Sequence, residues 1–162
     1  MQKFKVYFWK HLPKQLFKEI KIKYKDRLRD YMNVYICDTF EEMYRLENKL
    51  EKQYVEEDYG ARTWCYTKNY LDAKSGKYIK TSPLCGHMIF NKEYYYMSSI
   101  SHESTHAVIG YFSRKLKPYQ DIFTKVDEVG NIIEGTDECD INEELFCYMV
   151  GNIGDQIVSK IE

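Results

Sequence analysis

Residues 102–106 read His-Glu-Ser-Thr-His, and they sit within an apolar run containing Ile100, Ala107, Val108, Ile109 and Phe112. On an α-helix, residues four apart lie on one face, so the two imidazoles can converge on a single ion. Placing two histidines and an acid in such a helix is costly unless their polar atoms are satisfied, which favours a bound metal over two ordinary surface histidines. His102 and His106 are therefore the candidate metal ligands. Glu103 stands beside the ion without filling a ligand position, where it can accept a proton from a water on the metal. The pattern calls for a helix over about residues 98 to 114, ended before Pro118, and for a second element to complete the site.

A catalytic zinc site takes three protein ligands and leaves a fourth position for water. A glycine and a third histidine, three and six residues beyond the second histidine, would fall at positions 109 and 112; these are Ile109 and Phe112, which excludes that class. The remaining common choice is a glutamate from a following helix, and the last helix, over about 142 to 161, opens Asn142-Glu143-Glu144. Helix periodicity alone leaves both glutamates open, with Glu143 nearer the apolar stripe of Phe146, Met149, Val150, Ile153 and Ile157. The opposite face, with Glu144, Cys147, Tyr148, Gly151 and Asp155, is small and polar, and Gly110 is small on the histidine face. Helices approach closely where glycine removes the side chain, so the Gly151 face is expected to pack near Gly110 and aim Glu144 at the ion. His87 is an alternative ligand, although a separated histidine is more often structural, and Cys139 is a weaker one.

The rest of the chain reads mainly as strands. Phe4, Val6 and Phe8 alternate with Lys5 and Tyr7, and Ile20, Ile22 and Tyr24 alternate with Lys21, Lys23 and Lys25. Period two predicts a basic strand pair within residues 1–30, connected around Pro13. A third strand is expected at Asn33 to Cys37. Thr39 and Glu42 form a capping box that opens a helix to about residue 53. Arg62 to Tyr66 and Gly86 to Phe90 read as further strands, separated by turns at Ser75-Gly76 and Ser82-Pro83, and Gly130 and Gly135 mark a linker before the last helix. Strands first and helices last predict an α+β domain spanning 1–162, with residues 96–162 as its metal-binding helical part.

With 162 residues, 44% of them hydrophobic, the chain can bury one real core, and its 16 Tyr and 8 Phe argue against disorder. Cysteines at 37, 65, 85, 139 and 147 are odd in number and form no CxxC pair, so neither a disulfide scaffold nor a four-thiolate zinc site is expected. Lysines interrupt the apolar residues at the N-terminus, and no stretch approaches membrane-spanning length; a cytoplasmic protein without membrane contact is the expectation. The net charge of −1 conceals ten Lys or Arg against three acids in residues 1–30. A solvated strand face explains that excess better than nucleic acid binding, since no aromatic-basic motif accompanies it in the sequence.

Ile100-Ser101-His102-Glu103-Ser104-Thr105-His106-Ala107 and Glu144-Leu145-Phe146-Cys147-Tyr148-Met149-Val150 resemble the small His-Glu-x-x-His proteins of phages and bacteria, whose fold is zincin-like and gluzincin-type. The resemblance covers roughly residues 85 to 155, with Cys147 where alanine is usual. It implies a small, mostly antiparallel sheet packed against the His-Glu-x-x-His helix and a C-terminal helix, with Glu144 as the third zinc ligand. It also implies a zinc metallopeptidase in which Glu103 activates the zinc-bound water against a peptide bond, acting on a protein or peptide in the cytoplasm, that of the host for a phage protein. By the same resemblance the strand from Gly86 to Phe90, with His87 and Met88, would pair with an extended substrate, and Tyr148 would face it. His87, Tyr148 and one of Tyr94, Tyr95 or Tyr96 are candidate oxyanion stabilisers. The alternative is an interaction or inhibitor protein in which zinc only holds the two last helices together. Latency, with the basic arm or residues 117 to 139 over the cleft, would fit either.

Overall fold

A computed structural model describes residues 1–51, 60–66, 82–114, 125–126, 129, 132–133 and 137–161. The turn at Ser75-Gly76, Pro118, the linker glycines and Cys139 lie outside the described residues or side chains. In chain order the elements are β1 (Gln2–Tyr7), α1 (Lys18–Lys23), β2 (Tyr31–Cys37), α2 (Phe40–Glu51), β3 (Ala61–Cys65), β4 (Leu84–Asn91), α3 (Met97–Arg114), β5 (Lys125–Val126), β6 (Ile132–Ile133) and α4 (Asp137–Ile161). The class is α+β.

Four strands make one sheet in the order β1-β2-β4-β3. β1 pairs antiparallel with β2, β2 parallel with β4, and β4 antiparallel with β3, so the sheet is mixed. β2 and β4 are interior and almost wholly buried. Their apolar runs follow from having both faces covered, whereas edge strand β1 alternates exposed Lys3 and Lys5 with inward Phe4 and Val6.

The second strand expected near residues 20–25 is a short helix, α1, followed by a 3-10 turn at Lys25–Arg27. Phe17, Ile20 and Tyr24 share a helical face and reach the core, while Ile22 is 65% exposed. A strand would have put Ile22 beside Ile20 and Tyr24, so helical spacing decides between the two patterns. The capping box at α2 forms with a shift of one residue: the Glu42 amide donates to Thr39 Oγ1 at 3.2 Å, and the Glu42 carboxylate accepts from the Asp38 amide at 2.8 Å.

α3 and α4 cover one face of the sheet. Leu145, Met149, Ile153 and Ile157 of α4 join Ala107, Val108 and Phe112 of α3 and Val34, Met88 and Phe90 of the sheet in one core. Apart from Ala107, each such fully buried side chain contributes about 1.5–3 kcal/mol. α2 covers part of the other face, where Met43 meets Tyr35, Cys37 and Ile89. Arg62 of β3 pairs with the buried carboxylate of Glu47 on α2 at 3.6 Å.

A buried polar knot anchors α3 to the β1 side. Tyr111 donates its hydroxyl to Asp30 at 2.7 Å and accepts from Trp9 Nε1 at 2.8 Å, while Arg27 pairs with the same Asp30 oxygen at 2.7 Å. Phe8 stacks on the Tyr111 ring with centroids 3.9 Å apart. The outer edge of β1 is met by α4 at its Tyr7 end: Gln156 gives and takes a hydrogen bond with the Tyr7 backbone, both at 2.9 Å, and Asn152 donates to the Tyr7 and Phe8 carbonyls.

Candidate metal centre

α3 sets the three motif residues at different depths. Residues one apart on a helix are about 100° apart around its axis, so the histidines share a solvent face while Glu103 turns inward. His102 and His106 are exposed, so the burial cost expected for the pair does not arise and falls on Glu103 alone; their Nε2 atoms are 3.1 Å apart, within hydrogen-bond distance of each other, and their rings are nearly perpendicular at a centroid distance of 4.7 Å. At zinc–nitrogen bond lengths of about 2.0–2.1 Å that separation corresponds to a nitrogen–metal–nitrogen angle of roughly 100°, near tetrahedral. In this respect the donor pair fits zinc.

Glu103 is 6% exposed, and its carboxylate accepts from the hydroxyl of Thr63 on β3; the same hydroxyl lies 3.2 Å from the Glu103 carbonyl oxygen. β3 runs alongside α3 and shows it Ala61, Thr63 and Cys65, with the Cys65 thiol 3.8 Å from the His106 carbonyl. Small side chains at alternate positions let the strand approach the helix closely. Sequence reasoning missed Thr63, although the small, alternating Ala-x-Thr-x-Cys face was its available signal.

The third-ligand expectation does not follow the predicted packing. A Cβ on Gly151 would meet nothing within 4 Å, so that face of α4 is open rather than pressed on α3. The close approach is made by Gly154, which faces Ile100 and Ser104, and Phe146 contacts Phe112. This antiparallel register places Glu144 about 10 Å along the helix axis from His106. Glu144 instead lines a groove of about 410 Å³ with His11, Leu12, Cys147, Tyr148 and Asp155. Among the described residues no three His, Cys, Asp or Glu side chains gather into a group that would hold an ion.

The substrate-strand expectation is overturned by topology. β4 is hydrogen-bonded to β2 on one side and to β3 on the other, so it has no free edge for a peptide. Gly86, His87 and Met88 are buried. A Cβ on Gly86 would come within 2.0 Å of the Trp64 carbonyl oxygen, and its φ of +155° also suits glycine. His87 is 1% exposed on the α2 side of the sheet, its Nδ1 is 2.9 Å from the Tyr66 hydroxyl, and burial holds its pKa down at about 4. It is a core histidine, neither metal ligand nor oxyanion donor.

Tyr148 lines the Glu144 groove and packs edge-on against Phe17. Tyr94 rests on Phe40, and Tyr95 meets Phe90 edge-on, where burial raises its phenol to about 12. Tyr96, 62% exposed ahead of α3, is the most open of the three to solvent.

Comparison of the chain with protein families, with curated proteins and with solved structures gave no match. No helix among the described residues is long and apolar enough to cross a membrane.

Proposed function

We propose that the chain is a zinc-dependent hydrolase of the metallopeptidase kind, with His102 and His106 as metal ligands and Glu103 as general base. The observation that carries this reading is the pair of exposed Nε2 atoms 3.1 Å apart, one turn of helix beside a buried carboxylate held by Thr63. Zinc bound there would act as a Lewis acid on a carbonyl oxygen. Glu103 would take the proton of the attacking water and return it to the leaving amine, with Thr63 fixing the carboxylate for both transfers. Glu144 is no part of this ligand set. Among the described residues two protein donors are present, fewer than the three of an ordinary catalytic site, so metal affinity from these alone is expected to be weaker than that of a complete site.

A purely structural zinc is disfavoured. Among the described residues both imidazoles belong to one turn of α3, and an ion on these alone does not fasten α3 to α4, which are already joined through Gly154 against Ile100 and Phe146 against Phe112.

The test is metal content followed by turnover. Purified protein should hold one zinc with two imidazole donors by X-ray absorption, and His102→Ala should lose it. Glu103→Gln should keep the zinc and abolish cleavage of a diverse peptide library. Hydrolysis surviving Glu103→Gln would refute the mechanism, and a wild type that binds no zinc would refute the site.

A further inference from the structure

Among the described residues, the sheet face turned away from α3 and α4 is covered only in part, by α2. At its β1 end Lys3, Lys5 and Tyr7 project on this face, since Phe4 and Val6 point into the core between them. Lys5 Nζ lies 4.4 Å from the centre of the Tyr31 ring, and Lys3 Nζ lies 5.2 Å from that of Tyr35. The Tyr7 and Tyr31 rings tilt against each other at 5.8 Å. Beyond the strand, Tyr7, Trp9, Lys10, Lys21 and Leu28 line a hollow of about 350 Å³. The fold thus creates the interleaving of rings and cations that the linear sequence does not show, because Tyr31 and Lys21 reach β1 only through the folded chain.

We propose that this strip binds single-stranded nucleic acid, with Lys3, Lys5, Lys10 and Lys21 taking phosphates and Tyr7 and Tyr31 stacking on bases. Charge complementarity is the first argument. Of the three acids in residues 1–30, Asp30 is buried and paired with Arg27, and the acids at the Gln2 end of the strip, Asp38 and Glu42, are engaged by the Met1 ammonium at 3.0 and 3.5 Å. Geometry is the second. Lys3 and Lys5 repeat about 7 Å apart along an extended strand, a spacing that an extended sugar–phosphate chain can follow. Shape is the third: half-buried Tyr7 and Tyr31 on a strand face can take unstacked bases, whereas reading a duplex needs a helix or ribbon that enters a groove. A base arriving at Tyr31 would displace the Lys5 ammonium from the ring toward the neighbouring phosphate. The strip lies at the β1 edge of the sheet and the histidine pair beside the β3 edge, so this inference is independent of the hydrolase reading.

The test is fluorescence anisotropy with a short labelled oligothymidylate across a salt series, on the full chain. Four lysine–phosphate contacts predict a log–log salt slope of about −3, falling to about −1.5 in the exposed double variant Lys3→Ala/Lys5→Ala. Tyr31→Leu should weaken binding roughly tenfold with the slope unchanged, and Tyr31→Phe should bind as wild type. Circular dichroism checks each fold, and Tyr7→Leu replaces Tyr31→Leu should the latter misfold. Absence of binding at low salt overturns the proposal, as does an unchanged slope in the lysine variant. Equal competition by duplex DNA or phosphatidylserine vesicles, or normal binding by a well-folded Tyr31→Leu, also overturns it, since charge alone would then account for the affinity.

Discussion

Acidification should destabilise this protein through His87. The ring is 1% exposed and its folded pKa is about 4, against 6.5 for an unperturbed histidine, because burial penalises the charged imidazolium. Between those values the unfolded chain binds a proton that the native state refuses, so stability falls as pH drops below about 6.5 and the loss levels off below about pH 4. From the two pKa values the loss due to this residue is about 2 kcal/mol by pH 5 and about 3 kcal/mol by pH 4. Urea unfolding of wild type and His87→Gln, followed by circular dichroism at a series of pH values, isolates the contribution. A glutamine side chain cannot titrate, so the gap between the two curves should close by about 2 kcal/mol from pH 7 to pH 5. Parallel curves, with equal losses in both proteins, would refute the assignment of His87 as a neutral core residue.

Thr63→Val removes the donor to the Glu103 carboxylate; cleavage should fall by roughly tenfold, the value of one hydrogen bond to a charged group, with zinc affinity unchanged and Thr63→Ser restoring the rate. Gly154→Ala should stabilise by about 0.5–1 kcal/mol in thermal unfolding, since its Cβ would sit 3.8 Å from Ile100 and helical glycine is unfavourable. Gly86→Ala should do the opposite and prevent recovery of folded protein, because no shift of a flexible side chain can clear the Trp64 carbonyl 2.0 Å away. Tyr111→Phe leaves the Trp9 indole N–H without its acceptor and Asp30 with one donor fewer, and should cost about 2–4 kcal/mol in urea. It should also flatten the alkaline loss of stability. Burial raises the Tyr111 phenol well above its ordinary value, so wild type loses stability as pH climbs past about 10, where only the unfolded tyrosine ionises.

Local patterns with one physical interpretation were legible from the residues alone. The histidine pair, the Thr39–Glu42 cap and strands β2, β3 and β4 each carry a period or a capping chemistry that the surrounding fold did not override. Ile20 to Lys25 failed as a strand because period two and the i, i+3, i+7 set of Phe17, Ile20 and Tyr24 coexist there, and only the position of the core selects between them. Gly151 and Gly154 are three residues apart on one helix, and sequence could not say which of them meets α3. The partner of Glu103 depends on which strand takes the edge, and strand order arises from non-local pairing that a linear reading does not specify. That same order turned Gly86 to Met88 from an expected binding strand into the interior of the sheet.

The Gln156 side chain occupies the place of a neighbouring strand at Tyr7, accepting and donating as a peptide unit would. A chain shortened before Asn152 would leave Tyr7 and Phe8 with unmet backbone groups beside freshly uncovered core, a template on which a second molecule could extend the sheet. During synthesis β1 is made before α4, so the Tyr7 backbone lacks this partner until residue 156 has been added.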